Sequence, residues 1–396
     1  MRATAFAVCL VLLLVGVAPA ADSLNVRLVG HCDTPGLAFG AAAAGSYVCV
    51  ADQAAGLRVI DVSDPANAQE RGHCDAPGYA WGVAVADSYA YVADDTAGLR
   101  VIDVSDPAHP QERGHCDTPA GACGVATAGS YAYVADHFCG LRVIDESNPT
   151  NPEELGYYDT PGYALGVAVV GSYAYVADCY SGLRVIDVSN PANPQERGYC
   201  DTPGSALGVA VAGSYAYVAD DAAGLRVIDV SDPAHPQERG YCGTPGSALG
   251  VAVAGSYAYV ADDTAGLRVV DVSDPAHPQE RGYYDTPGEA CGVAVAGSNV
   301  YVADHAYGLQ VCQFYGGGVE ESPNAEARMT SGGPTILSGA SSVKRLASCV
   351  VFDAMGRRVL NPRSGVYFVR GAAQVQAQAR ASGGKPSAVT KVVIAR

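Results

Sequence analysis

The chain of 396 residues is 49% hydrophobic and only 16% charged, too apolar for general disorder and long enough for one large domain or two. Its formal charge of −17 divides unevenly: 13 Lys/Arg stand against 37 Asp/Glu before Glu320, and 11 against 4 from there to the end. No Lys occurs before Lys344, so the acidic region lacks the basic surface that nucleic acid or anionic lipid would need, which argues against both as partners.

The first 20 residues read as a secretory signal peptide: Arg2, an apolar run from Ala5 to Val17, and the small residues Ala18-Pro19-Ala20 ahead of the cut. A run of about 13 residues is too short to span a bilayer, so stable membrane insertion is not expected. Its removal leaves 12 of the 13 cysteines in an oxidising compartment.

Residues 24–315 are built from one repeating unit. Gly30, Gly72, Gly114, Gly156, Gly198, Gly240 and Gly282 open related segments at a constant interval of 42 residues. A typical unit contains four short apolar or alternating runs, AWGVAV, YAYVAD, GLRVIDVS and QERGHCD, separated by turn formers such as ADS, DDTAG, SDPAHP and DTPG. Four antiparallel strands per 42 residues is the size of one β-propeller blade. Small residues in the first run suit the crowded axis, and apolar residues on both sides of the second and third suit a blade covered by two neighbours. Asn25 to Asp33 resembles an isolated outer strand, while the seventh unit stops after its third, GLQVCQF. Each end supplies what the other lacks, so the N-terminal strand is expected to close the last blade and remove an exposed edge. The fold class is all-β: a seven-bladed propeller of four-stranded blades plus a small C-terminal β-sandwich.

Residues 316–327, with Gly316-Gly317-Gly318, read as a linker, and residues 328–396 as a C-terminal β domain. Its apolar runs lie in SCVVFDAMGRRVLNPRSGVYFVRG and KVVIAR.

The recurring Gly-Leu-Arg-Val-Ile-Asp-Val-Ser-Asp-Pro, with Pro-Gln-Glu-Arg-Gly and Asp-Thr-Pro-Gly, resembles the LVIVP repeat of bacterial and archaeal extracellular propellers. That likeness implies a fold and a location but no catalytic residues. The C-terminal region resembles the type A sorting domain of the type IX secretion system, through Val350, Val351, Phe352, Asp353, Gly356, Arg357, Gly365, Val366, Tyr367 and Lys391 to Ile394. The resemblance implies secretion machinery as a partner, and a secreted or cell-surface product after passage through the periplasm.

Signatures of chemistry are sparse. Gly204-Ser205-Ala206-Leu207-Gly208 places Ser one position too early for a nucleophile elbow, and a Lys-free region holds no P-loop. His31-Cys32, His73-Cys74 and His115-Cys116 resemble ligand pairs, but strand neighbours point to opposite faces, so no metal is expected. No cofactor is expected either. Asp52, Asp94, Asp136, Asp178, Asp220, Asp262 and Asp304 recur in every unit, and six have an Arg six places later, which suggests turn capping and Arg pairing.

The turn between the second and third strands and the loop into the next blade should share one face, and differences between repeats concentrate there. Trp81, His137, Phe138, Tyr180, Glu289, His305 and Tyr307 are the candidate ligand-binding residues. Cys123 and Cys139 are expected to form a disulfide. The expected function is therefore an exported, non-catalytic binding or surface-display module with an extracellular glycan or protein ligand. The alternatives are a propeller enzyme acting on glycans, with Glu289, His137 and His305 as acid and base, or a purely structural surface component.

Overall fold

A computed structural model of the chain describes residues 23–316 and four strands of the C-terminal region, Thr335–Ser338, Val350–Phe352, Gly365–Arg370 and Thr390–Ala395. Residues 1–20, read as a signal peptide, and 317–327 of the linker lie outside the described residues.

Seven antiparallel sheets follow the 42-residue period. In the second blade the inner strand is Gly82–Ala86, followed by Tyr89–Ala93, Leu99–Asp103 and the outer strand Gln111–Cys116, each paired with the next. The seventh blade holds Gly292–Ala296, Asn299–Ala303 and Leu309–Phe314, and its outer strand is Val26–Cys32, paired antiparallel with Leu309–Phe314. The ring therefore closes with the expected strand. The sequence did not foreshadow a second step: Ser23–Leu24 pairs with the outer strand of the sixth blade, Gln279–Tyr284, so the leading segment straddles two blades.

Hydrophobic burial lies between blades. Tyr91, Ala93, Leu99 and Val101 of the second blade pack against Ala122, Ala132, Val134 and Ile144 of the third, and clusters of the same kind fill the other six seams. Both faces of the middle strands are thus covered, which is why they read as continuous apolar runs.

Two sets of glycines set the spacing. A Cβ on Gly124 would lie 2.7 Å from Leu165 O of the next blade, and the corresponding contact closes the circle from Gly292 to Phe39 O at 2.4 Å. The glycine that opens each repeat answers to the loop between the third and outer strands of the following blade: a Cβ on Gly72 would come within 2.5 Å of Pro107 O. At Gly282 the place of that proline carbonyl is taken by Leu24 O, at 2.7 Å. Each outer strand also carries a register shift beside this glycine, as between Glu112 and Gly114.

The C-terminal region is a separate unit, Val319–Arg396. Its described strands form one mixed sheet: Thr335–Ser338 runs parallel to Thr390–Ala395, which pairs antiparallel with Gly365–Arg370, itself antiparallel to Val350–Phe352. Gly365 and Tyr367 lie on the third of these strands in chain order and Lys391 on the last, whereas Asp353, Gly356 and Arg357 fall outside the described residues. Among the described residues no helix is long and apolar enough to cross a membrane.

Candidate functional site

One face of the ring is made by the turns between second and third strands and the loops that enter the inner strands. In the second blade the turn is closed by Asp94 N–H donating to Gly98 O at 2.8 Å and Gly98 N–H donating to Asp95 O at 3.0 Å. Asp95 then exchanges two backbone hydrogen bonds with Ala122, at 3.1 and 3.0 Å, in the loop entering the third blade. The same clasp recurs at Gln53–Ala80, His137–Ala164, Cys179–Ala206, Asp221–Ala248, Asp263–Ala290 and His305–Ala38, the last completing the circle. Both loop classes thus share one face and are bonded together around it. All seven clasp residues hold φ between +46° and +52°, a left-handed conformation that side chains other than Gly, Asn and Asp rarely adopt.

Beneath each clasp lies the recurring aspartate, fully buried in all seven blades. Asp52 accepts from Thr34 Oγ1 at 2.5 Å and from Gly36 N–H at 2.9 Å, and the Arg58 Nε stands 3.6 Å away. Burial pushes its carboxyl up, opposed by these partners. The buried arginines continue outward: Arg184 reaches Glu196 and its guanidinium lies 4.6 Å from the Tyr199 ring centroid. Two blades break the pattern. The second has Ala76 where others have Thr, and Asp94 Oδ1 is left without a hydrogen-bond partner. The seventh has Gln310 in place of Arg and Leu28 in place of the outer-strand Glu, so Asp304 has no guanidinium beside it. Burial pushes both carboxyls up to about 6.

At the axis the inner-strand glycines leave a cavity of about 170 Å³, lined by the first two residues of all seven inner strands. Its mouth opens under the variable loops. Trp81 meets Phe39 edge-on with ring centroids 4.4 Å apart, Phe39 meets His305 at 5.4 Å, and His305 Nδ1 lies 3.8 Å from Glu289 Oε2. A second group forms across the third and fourth blades, where His137 stacks on Tyr163 at 4.5 Å and contacts Phe138 at 5.7 Å. Of the candidate residues, then, Trp81, Glu289 and His305 gather in one arc, and His137 and Phe138 in another. Tyr180 is 77% exposed and Tyr307 48%, each on its own turn. Phe39 in the first arc, Tyr163 in the second, and the clasp carboxylates Asp221 and Asp263 stand out in the sequence as loop residues of the same variable face, each at a position equivalent in the 42-residue repeat to a chosen one.

The opposite face is satisfied within itself. Asp61 accepts from Ser63 N–H at 2.9 Å and from Arg71 Nη2 at 2.8 Å, and the Ser63 hydrogen bonds, with help from Arg71, hold its carboxyl at about 2. Equivalent pairs recur at Asp103–Arg113, Asp187–Arg197, Asp229–Arg239 and Asp271–Arg281.

The structure corrects the expected disulfide: Cys123 and Cys139 are both free thiols. Gly124 pairs with Ala135, which sets Cys123 opposite Asp136, while Cys139 lies three residues further along the turn. Cys123 Sγ instead contacts Gly121 O at 3.3 Å, and burial pushes its thiol up to about 12. Among the described residues no group of three or more His, Cys, Asp or Glu is placed to hold a metal ion.

Seven four-stranded blades, a closed inner ring and a clasped loop face define a β-propeller of the tandem-repeat class. The sequence matches the LVIVD repeat at residues 35–76, 77–118, 120–160, 161–202, 203–244, 245–286 and 287–312, and the chain belongs to that family. The motif closes on Asp, as in Leu57–Asp61, where the sequence reading named a Pro-ending LVIVP repeat. Among solved structures, the computationally designed Ika8 protein is similar with a TM-score of 0.54 at 9% identity, covering 73% of this chain and 100% of that one. BamB from Moraxella catarrhalis is similar with a TM-score of 0.50 at 11% identity, covering 72% of this chain and 85% of that one. These likenesses concern the fold. No curated protein sequence matches significantly.

Proposed function

We propose that the protein is an exported, non-catalytic binding or surface-display module, whose loop face recognises an extracellular glycan or protein ligand and whose C-terminal domain, a small β-sandwich, engages a type IX-like secretion machinery. The observation that carries this reading is the asymmetry of the two faces. Divergence among near-identical repeats is concentrated in the clasped loops around the mouth, with exposed aromatic, imidazole and carboxylate groups, while the other face keeps its Asp–Arg pair in five of the seven blades. Gly365–Tyr367 and Lys391–Ile394, which carry the sorting-domain likeness, lie on paired antiparallel strands.

Screening the purified protein on a glycan array, with activity assays on the hits, tests the proposal. Saturable binding that weakens in Trp81→Ala and Tyr163→Ala is expected. Turnover would favour a glycan-acting enzyme, for which the Glu289–His305 contact at 3.8 Å is the specific feature. Neither binding nor turnover would favour a structural surface component. Mass spectrometry of the exported protein is expected to show a start after Ala20 and a C-terminus that reports whether the tail is removed.

A further inference from the structure

The face opposite the clasped loops departs from its pattern at one corner, where the third blade meets the second. Six of the seven turns after the inner strand carry a left-handed Gly, with φ between +59° and +65°; the second blade carries Asp87 there, at φ +51°. The residue after the third strand is Val in five blades and Glu146 in the third. In those five the outer strand opens on Gln, and its Arg reaches the aspartate that ends the third strand; the third blade has Glu153 and Leu155 instead. Each of these changes makes the corner one charge more negative. Asp145 keeps the Ser147 N–H at 2.9 Å but has no guanidinium, and its cross-strand neighbour is Glu153, a like charge that accepts from Asn151 Nδ2 at 2.6 Å.

Glu146 supplies a second, independent observation. Its Val equivalents turn into the seam with the preceding blade, as Val188 does against Tyr133. Glu146 takes the same direction: it is 6% exposed, accepts from the buried Tyr91 hydroxyl of the second blade, and leaves Oε2 without a partner. Asp87 stands on the turn directly after that blade's inner strand, close enough that its charge, with that of Asp145, adds to the effect of burial on the Glu146 carboxyl. A left-handed Asp, like charges facing across a ladder, a buried acid with a free oxygen and a lost ion pair each cost the folded chain something. All four meet at one corner of a molecule whose other blades hold the relaxed alternative, which marks a place shaped for something outside the chain.

No three of these carboxylates converge, so a single metal ion does not fit them. They run from the second blade's turn to the third blade's outer strand, where Leu155 is 40% exposed and Tyr157 54%. Cations spaced along a chain, with an apolar residue between them, match that layout. We infer that this corner docks a basic polypeptide segment, its Lys or Arg side chains paired with Asp87, Glu146, Asp145 and Glu153 and an apolar side chain against Leu155. The corner lies on the face away from the clasped loops, so it and the recognition face stand or fall separately. Salt weakens the contact at the exposed carboxylates and least at Glu146.

Full-length protein is titrated at low salt against the fluorescein-labelled peptide Lys-Leu-Lys-Gly-Lys-Leu-Lys and followed by anisotropy. Saturable binding is expected. The combined variant Glu146→Val, Glu153→Gln, Leu155→Arg installs residues that five other blades already carry, so the fold is kept and the thermal midpoint holds or rises. Binding to it is expected to weaken about tenfold or more, and binding to Asp87→Gly a few-fold. A matched variant, Asp64→Asn, Asp232→Asn, Asp274→Asn, removes the same charge from this face away from the corner, using the residue found at Asn148 and Asn190. Its affinity is expected to stay within about twofold of wild type. Equal weakening in both variants assigns the binding to the diffuse charge of the ring and overturns the inference, as does unchanged affinity in the first variant or no binding at all. Calcium chloride or spermine displacing the peptide at concentrations equal to its own assigns the corner to a small cation and overturns it too. Self-association of the wild-type chain that the first variant abolishes gives the place to a second copy and overturns it likewise.

Discussion

At the scale of single residues, the repeats act as their own controls. Five blades supply Thr in hydrogen-bonding position above the buried aspartate, as Thr118 does for Asp136 at 2.6 Å, and the second supplies Ala76. Ala76→Thr is expected to stabilise the protein by about 1 kcal/mol at neutral pH. Because Asp94 titrates at about 6 in the folded protein, above its usual value of 3.8, the folded state holds a proton that the unfolded chain has released. Wild-type stability should therefore fall as pH rises from about 4 to 6, and Ala76→Thr should reduce that fall; thermal midpoints measured across this range check it. Glu146 offers a second comparison. Its equivalents Val62, Val188, Val230 and Val272 pack between blades, whereas Glu146 is 6% exposed, accepts from the Tyr91 hydroxyl and leaves Oε2 without a partner. Burial raises its carboxyl, and Asp145 and Asp87 raise it further. Glu146→Val is expected to stabilise by roughly 1 to 2 kcal/mol at neutral pH, an advantage that shrinks on acidification as the wild-type carboxyl takes up its proton. Denaturant titration at two pH values decides it.

Among elements, the inner strand and the closing strand have distinct roles. A side chain on Gly124 would enter the space of Leu165 O, so Gly124→Ala is expected to cost on the order of 1 to 3 kcal/mol and to broaden the melting transition. Gly129→Ala is the control, since that glycine has open space around it and any cost arises from its φ of +65° alone. Removing residues 23–32 would strip the outer strand from the seventh blade and the short fifth strand from the sixth. Hydrogen exchange should then show loss of protection along Leu309–Phe314 and Gln279–Tyr284, with the third and fourth blades least affected. The strand assignments were legible because turn formers bracket every apolar run. The Ser23–Leu24 addition was not, because a two-residue ladder is set by where the preceding strand has been anchored rather than by any periodicity.

For the whole molecule, one number governs the geometry. A constant 42-residue period fixes the blade, its sevenfold recurrence fixes the turn of about 51° per blade, and incomplete ends fix closure. These were readable from the chain because duplication repeats the same local instructions. Excising one unit, residues 198–239, is expected to strain every seam, since the glycine contacts are cut to one inter-blade angle. Sedimentation and melting should report either a large loss of stability or association between chains. The shared loop face was legible from strand alternation alone, but the clasps were not, because a backbone bridge between residues 27 apart leaves no side-chain signature. The Cys123–Cys139 pairing failed for a related reason: proximity on one face was inferred from strand order, whereas a disulfide depends on register and on the direction of each Cβ.

The straddling start of the chain has a temporal consequence. Synthesis delivers the first strand first, yet its berth on Leu309–Phe314 comes into being only when nearly three hundred more residues have emerged. Until then the growing protein is an arc with a waiting ribbon at one end and an uncovered sheet margin at the other. The final snap joins the oldest and newest parts of the ring in a single event, so keeping those two apart is enough to hold the ring open.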